Sequence, residues 1–417
     1  MNPCRMAVHL IFPSLLNLPV KLTVLVKLFS TCLPALVLFA GLSGFPGAQL
    51  HGQGVTVEVS TLPRVGVSIS GPLGGGVTEI VSNDLKRTGM ISPVGSGSGD
   101  YLATGEASES GVIGQLLNKK SGEVAVNQTF TGKGRLAAHE FADAITQAVT
   151  GLPGFASSKL AFVAGSVRTQ ELFLADMDGF NARAITHDGT ISASPSLNHD
   201  GTKLAYTSYK SGYPDVYLID LVSGNRTRIA FFPGINTGPD FSPDGSLIAL
   251  TLSKDGNPEI YTMSLDGGSL TRITRTRGGE TSPSWSPAGD RLVYSSDDRG
   301  SPQLFVSSST STSDSSDWDH LVTGNAYCTK PDWSPDGKWI AFTTRIGGQF
   351  QIGVFDVPAR TAQLITTAGG EDPDWTRDSR HLVYSNNGRL YLLDTVSRQS
   401  LPIETGDSGC GEPTVSR

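Results

Sequence analysis

Cysteine, charged residues and the common catalytic motifs are all scarce in this chain. Only four of its 417 residues are cysteine and 17% are charged, with 32 basic against 39 acidic side chains. No pair of cysteines or histidines has the spacing of a zinc site. The net charge of −7 comes without a basic cluster, which argues against binding to nucleic acid.

Signals for an enzyme or a cofactor are equally weak. The pentapeptide Gly-x-Ser-x-Gly of serine hydrolases is absent. Gly406-Asp-Ser-Gly409 has the form of a chymotrypsin-type nucleophile motif, but the residues after it do not continue that motif and the histidines are scattered. The glycine-rich segment 71–76 lacks both a lysine and a dinucleotide-binding frame. We therefore predict no catalytic, cofactor-binding or metal-binding residues.

Long apolar runs are also missing, apart from one near the start. Residues 1–48 contain three basic and no acidic side chains, and an apolar run from Leu28 to Leu42 is followed by mostly small residues up to Ala48. This pattern is typical of a secretory signal peptide cleaved near Ala48. The alternative is an uncleaved anchor, but the run contains Pro34 and is shorter than the roughly 20 residues of a spanning helix.

The chain is rich in glycine (49 residues), proline (24 residues) and a repeated motif. Copies of a sequence close to Pro-Asp-Trp-Ser-Pro-Asp-Gly recur at intervals of 42 to 48 residues, starting at Pro195, Pro239, Pro283, Pro331 and Pro373. An apolar run and two further strand-like segments separated by turns follow each copy. A period of this length with four short strands is the signature of a β-propeller.

The two ends of the repeat region complete the blade count. Residues 159–164 and 171–176 resemble the second and third strands of a blade, but no inner strand precedes them. Glu412-Pro-Thr-Val-Ser416 has the form of that missing inner strand. We predict a mainly β protein, with a six-bladed propeller over residues 151–417 whose C-terminal strand closes the first blade and removes two exposed sheet edges.

Residues 49–150 have a different pattern. Residues 55–60 alternate like a strand, and residues 74–90 and 137–150 carry apolar side chains at helical spacing. Residues 111–117 and 123–130 resemble a β-hairpin. We predict a small α/β domain ahead of the propeller.

Four features follow one another along the chain: a leader, the α/β domain, a helix ending in Leu152-Pro-Gly-Phe155, and Ser-Pro-Asp-Gly blades closed by Glu412 to Ser416. In this order they resemble the TolB family of the Tol-Pal system. The resemblance implies a non-enzymatic periplasmic adaptor that reaches membranes only through its partners. The resemblance further implies that this adaptor binds a Pal-like outer-membrane lipoprotein at the propeller mouth and supports outer-membrane invagination and integrity during cell division. The resemblance also implies a TolA-like inner-membrane partner, bound through residues 49–60.

The candidate partner-binding residues lie where the chain enters each inner strand, because these segments surround one mouth of a propeller channel. By motif position, the residues of the family that contact Pal correspond to Ile235, where the family often has histidine, Gly238 and Thr281. The same loops contribute Asn236, Glu280, Lys330 and Glu371. The alternative functions are a periplasmic propeller that binds carbohydrate or peptide ligands, and a propeller-bearing hydrolase.

Overall fold

The computed structural model describes residues 64–417, except residues 72, 74, 75, 109, 133, 315, 407 and 408. The predicted signal peptide, the strand at 55–60 and the TolA-binding segment 49–60 lie outside the described residues. Within the described part of the chain, no helix is long and apolar enough to cross a membrane. All described residues belong to one compact unit, so the division between residues 150 and 151 stays a prediction.

The N-terminal α/β domain is a five-stranded sheet with two helices. Its strand order is β2-β1-β3-β4-β5, in which β1 runs parallel to β2 and β3 and the other pairs are antiparallel. The elements are β1 Val65–Ser70, α1 Val77–Arg87, β2 Ile91–Val94, β3 Tyr101–Ser108, β4 Gly111–Asn118, β5 Val124–Thr131 and α2 Arg135–Thr150. The predicted hairpin and both predicted helices are present.

The core of this domain forms between the helices and the sheet. In α2, Ala138, Phe141, Ala142 and Ile145 follow helical spacing and are fully buried. Gly114 in β4 lets the helix pack closely, because a Cβ atom there would lie 2.5 Å from the Phe141 ring.

Six antiparallel sheets of four strands form the propeller. From inner to outer strand, the first blade consists of β29 Gly411–Val415, β6 Lys159–Ser166, β7 Thr169–Asp176 and β8 Arg183–Ala184. The C-terminal strand therefore supplies the inner strand of the first blade.

The other five blades follow in chain order. The second blade consists of β9 Ser192–Leu197, β10 Lys203–Ser208, β11 Asp215–Asp220 and β12 Arg226–Ala230, and the third of β13 Asn236–Phe241, β14 Leu247–Leu252, β15 Glu259–Ser264 and β16 Thr271–Arg272. The fourth blade consists of β17 Glu280–Trp285, β18 Arg291–Ser296, β19 Gln303–Ser308 and β20 Asp319–Leu321, and the fifth of β21 Cys328–Trp333, β22 Trp339–Ile346, β23 Gln349–Asp356 and β24 Thr361–Leu364. The sixth blade consists of β25 Glu371–Trp375, β26 His381–Asn386, β27 Arg389–Asp394 and β28 Gln399–Ile403.

The repeated Ser-Pro-Asp-Gly sequence forms the turn between the first two strands of a blade. In the third blade, Asp244 Oδ1 accepts hydrogen bonds from Ser242 Oγ at 2.6 Å and from the Ser246 N–H at 3.0 Å. The Gly245 N–H donates to Ser242 O, and Gly245 has φ +69°. Glycine adopts this left-handed conformation at little cost, so the motif specifies a tight turn.

A half-buried carboxylate connects the α/β domain to the first blade. Asp143 in α2 accepts hydrogen bonds from the Ala156 N–H at 2.7 Å, the Ser157 N–H at 3.0 Å and the Ser157 hydroxyl at 2.6 Å. The helix therefore holds the segment that leads into β6.

Candidate functional site

The six inner strands line a narrow channel. Each contributes three consecutive residues with proline in the middle, namely Ser194 to Ser196, Gly238 to Asp240, Ser282 to Ser284, Lys330 to Asp332, Asp372 to Asp374 and Glu412 to Thr414. The cavity holds about 100 Å³, whereas pockets for small ligands usually enclose about 300 to 1,000 Å³. The channel itself therefore has room for little more than water or a single side chain.

A repeated β-bulge shapes the channel mouth. The residue before each proline has a left-handed backbone, with φ between 46° and 59°, at Ser194, Gly238, Ser282, Lys330, Asp372 and Glu412. In every blade the register of the inner strand shifts at this point. A bulge redirects the side chain that it carries, so six equivalent bulges build one ring of residues, which we call the mouth ring.

The mouth ring carries a net negative charge. Lys330 Nζ lies 3.9 Å from both Asp372 Oδ1 and Glu412 Oε2. Burial lowers the pKa of Lys330, but the carboxylates of Glu412, Asp372 and Glu371 together outweigh that effect and raise it. Burial also raises the pKa of Asp372 to about 6, although Lys330 opposes the rise. One lysine thus faces three carboxylates, which suits a partner with basic groups.

Deeper in the channel, side chains connect each blade to the next. Asp240 accepts hydrogen bonds from Ser196 Oγ and from the Trp285 N–H, both at 3.1 Å. Asp332 accepts from the Trp375 N–H at 2.7 Å, and the Trp375 indole donates to Asp332 O at 3.1 Å. The Pro-Asp-Trp part of the motif therefore stabilises the contacts between blades.

Arg417 fills the channel on the side away from the mouth. Its guanidinium donates to Asp332 and, at 3.4 Å, to Asp374, and it also donates to the carbonyl oxygens of Trp333 and Trp375 at 3.1 Å each. Burial raises the pKa of Asp374 to about 8, with Arg417 opposing the rise and Asp332 and Asp240 adding to it. Burial and the Asp332 carboxylate raise the pKa of Asp240 to about 6.

The predicted partner-binding residues separate into surface and buried groups. Gly238 and Lys330 belong to the mouth ring, Thr281 and Ile235 are exposed, and Glu371 is half-buried beside Asp372. The side chains of Asn236 and Glu280 are fully buried. Both side chains form hydrogen bonds within the protein, so they stabilise the shape of the mouth and do not offer a contact surface to a partner.

Asn236 holds the loop that presents Ile235. Its Oδ1 accepts from the Phe232 N–H at 2.8 Å, and its Nδ2 donates to Phe232 O at 2.8 Å. These bonds close residues 232–236 into a compact turn with Ile235 at its tip. Ile235 is 41% exposed.

Glu280 forms a buried acidic pair with Glu259 beneath the loop that carries Thr281. Glu280 accepts hydrogen bonds from Ser296 Oγ at 2.6 Å and from Thr276 Oγ1 at 2.9 Å. Glu259 accepts a hydrogen bond from the Arg272 guanidinium at 2.7 Å. Burial, together with the nearby Glu259 carboxylate, raises the pKa of Glu280 to about 8. At neutral pH the pair therefore keeps one proton.

Because of this pair, the stability of the protein should depend on pH, and Glu280→Gln should remove that dependence. The folded-state pKa of Glu280 lies above its unfolded value of about 4.3, so the folded state binds more protons between these values and its stability falls as the pH rises towards about 8. Relative to wild type, Glu280→Gln should gain about 1.4 kcal/mol of unfolding free energy per pH unit in this window. Urea unfolding at pH 5, 6, 7 and 8 measures the difference. A constant difference between the two proteins at all four values would show that Glu280 does not hold the proton.

An apolar rim surrounds the mouth and was not found from the sequence. It consists of Tyr213, Phe231, Ile235, Val322, Ile346 and Phe350. All six side chains are exposed. They lie in the hairpins between the second and third strands of a blade or in the segments that lead to the next inner strand. Main-chain hydrogen bonds join these two sets of loops. For example, the Asn236 N–H donates to Pro214 O, and the Gly370 N–H donates to Phe350 O. Large apolar residues within Gly- and Pro-rich turns, such as Gly212-Tyr-Pro214, were the available signal.

The fold and this mouth define a six-bladed β-propeller with an N-terminal α/β domain and a polar channel. Comparison with family models matches residues 146–417 to the TolB beta propeller domain. The chain belongs to this family.

Individual relatives agree with this assignment. The chain is 32% identical over 168 residues to the Tol-Pal system protein TolB of Bordetella avium, a match that covers 34% of this chain and 38% of that protein. It is 31% identical over 192 residues to the TolB of Aromatoleum aromaticum, covering 40% of this chain and 45% of that protein. These matches therefore span less than half the length of the curated relatives.

A solved structure extends the similarity. The crystal structure of TolB from Acinetobacter baumannii superposes with a TM-score of 0.75 at 27% identity, and the match covers 85% of this chain and 97% of that one. The similarity in fold therefore includes the α/β domain as well as the propeller.

Proposed function

We propose that this protein is a non-enzymatic periplasmic adaptor of the Tol-Pal system, which binds the periplasmic domain of a Pal-like outer-membrane lipoprotein at the propeller mouth. In this role it supports outer-membrane invagination and integrity during cell division. Membership of the TolB family supports the proposal. The observation that carries it is the mouth itself, where an acidic ring is surrounded by exposed apolar side chains.

The chemistry of the mouth favours a protein partner over a small ligand. The apolar rim contains two aromatic residues and an isoleucine at the edges of blades two and three, and aromatic anchors contribute strongly to protein interfaces. The channel at its centre is too small to enclose a sugar or a peptide segment. A partner side chain with a positive charge would fit above Asp372 and Glu412. This arrangement supports docking of a folded surface on the mouth.

A TolA-like inner-membrane protein is the second proposed partner, through residues 49–60. That segment lies outside the described residues, so this part of the proposal depends on the family assignment. An N-terminal truncation that removes residues 49–60 from the mature protein should abolish capture of the TolA-like protein and leave lipoprotein binding unchanged.

Ile235→Asp and Thr281→Arg test the mouth. Both positions are exposed, and each variant places a charge where a partner would pack. We expect each to weaken binding of the purified lipoprotein domain at least about tenfold in biolayer interferometry, without a change in the thermal unfolding midpoint.

Matched controls lie at the opposite ends of the strands. Val222→Asp and Thr361→Arg introduce the same charges at exposed positions next to turns between third and fourth strands, which face away from the mouth. Both should bind like wild type. If the control variants lose as much binding as the mouth variants, docking is elsewhere and the proposal is wrong.

A further inference from the structure

A second cluster of chemically active side chains lies where α2 contacts the first blade. It consists of His139 in α2, Asp176 at the end of β7 and Asp178 in the turn that follows. One ring nitrogen of His139 and one carboxylate oxygen from each aspartate all lie within 4.8 Å of one another. The sequence separates the histidine from the aspartates by more than 35 residues, so motif spacing could not reveal the cluster.

His139 is arranged like a metal ligand. It is 2% exposed, and its Nδ1 lies 2.7 Å from Asp84 Oδ2. Its Nε2 is buried and has no hydrogen-bond partner among the described residues. A buried ring nitrogen without a partner is unfavourable. A carboxylate on one imidazole nitrogen is the usual arrangement when the other nitrogen binds a metal ion.

Arg135 neutralises the two aspartates. Its Nε lies 3.3 Å from Asp176 Oδ2, and its Nη2 pairs with Asp178. Asn181 also donates to Asp176 at 2.9 Å, and the Phe180 N–H donates to Asp178 at 3.1 Å. The Arg135 side chain is 24% exposed and packs over the Phe180 ring, so it can leave the carboxylates by rotating towards solvent.

The two carboxylates are also accessible. Asp176 and Asp178 are 32% and 21% exposed, which gives an ion a route to the buried histidine nitrogen. One imidazole and two carboxylates form a donor set that suits Zn²⁺ and related transition metals, whereas Ca²⁺ and Mg²⁺ prefer oxygen ligands alone.

We propose that His139, Asp176 and Asp178 bind one divalent transition-metal ion, with Zn²⁺ as the preferred ion, and that the ion displaces Arg135. Small movements of the aspartates bring their oxygens from the observed separation to bonding distance, and water fills the fourth position. Asp84 holds the histidine ring in the orientation that points Nε2 to the metal. Because the ligands come from α2 and from the first blade, the bound ion strengthens that junction.

Calorimetric titration of chelator-treated protein with ZnCl₂ tests the proposal. We expect one site per chain and a higher thermal unfolding midpoint with the metal. His139→Gln and Asp176→Asn should each lose this binding, and Asp84→Asn should weaken it about 10- to 100-fold. Asp176 is partly exposed, so its variant keeps the test valid if His139→Gln fails to fold.

Arg135→Met separates this site from nonspecific binding of zinc. Removal of the competing cation should make Zn²⁺ bind more tightly than in wild type. His320→Gln is the matched control and should leave the titration unchanged. His320, in the fourth blade, also has a buried ring nitrogen that finds no hydrogen-bond partner in the described part of the chain. Absence of binding in wild type, unchanged binding in Asp176→Asn, or no gain in Arg135→Met would each overturn the proposal.

Discussion

Deletion of residues 411–417 is expected to abolish the cooperative unfolding transition of the propeller. Gly411, Thr414 and Val415 pair with β6 as the inner strand of the first blade, and Val415 is 2% exposed. Without this strand, the ring opens and β6 becomes an unprotected sheet edge. The loss of main-chain pairing and apolar burial is comparable to the ~5–15 kcal/mol that keeps a domain folded.

Circular dichroism melting and size-exclusion chromatography measure this effect. The truncated protein should melt without a sharp transition and elute as aggregates. Arg417→Met is the matched control, because it keeps the whole strand and should retain a cooperative, although lower, transition. A truncated protein that remains monomeric and melts within a few degrees of wild type would contradict closure by β29.

Arg417→Met should have the second largest effect, about 3 kcal/mol of unfolding free energy. Breaking a buried ion pair typically costs about 3–5 kcal/mol, and the lower figure applies because the guanidinium is 24% exposed. The variant leaves three aspartates of the channel without their cation, namely the buried Asp332 and the half-buried Asp240 and Asp374.

The loss should also depend on pH. Asp240 and Asp374 already have pKa values raised to about 6 and about 8, and removal of Arg417 raises them further. Protonation then relieves the repulsion, so the destabilisation should be largest above pH 8 and smaller at pH 5.5. Urea unfolding of the variant and the wild type above pH 8 and at pH 5.5 measures this destabilisation.

Arg360→Met is the control for the loss of an arginine ion pair. Its partner Asp319 is 47% exposed and Arg360 itself is 52% exposed, so water already screens the pair. Its removal should cost less than about 1 kcal/mol at either pH. Equal losses in the two variants would show that the channel does not depend on Arg417.

Much of the propeller was predictable because one motif encodes a complete local structure. Ser-Pro-Asp-Gly specifies the turn through Gly245 and its equivalents, and the preceding proline marks the bulge of each inner strand. The strands at 159–176 lacked an inner strand, and the strand at 412–416 lacked a blade. Together they therefore predicted closure of the ring. Each of these steps uses residues that are near one another in sequence.

The N-terminal strands were harder to predict for a physical reason. In β1 only Val67 and Ser68 are buried, and in β3 only Ala103 is. In β3 the apolar residues do not alternate with polar ones, so the pattern that identifies a strand is missing. In β1, Val65, Val67 and Ile69 do alternate with small or polar residues, and this signal was overlooked.

The site was only partly predictable because burial depends on tertiary contacts. The sequence placed Asn236 and Glu280 at the mouth, yet their side chains point inward to Phe232 and Ser296. The apolar rim and the His139 cluster each combine residues from separate blades or domains. No local pattern distinguishes such residues from ordinary turn or helix positions.

Hydrogen exchange in the presence of the lipoprotein domain tests the proposed docking most directly. Docking at the mouth predicts slower exchange in residues 231–238 and 275–282 and around Lys330, with no change in the turns near Val222 and Thr361. Protection confined to those opposite turns, or to the α/β domain, would contradict docking at the mouth.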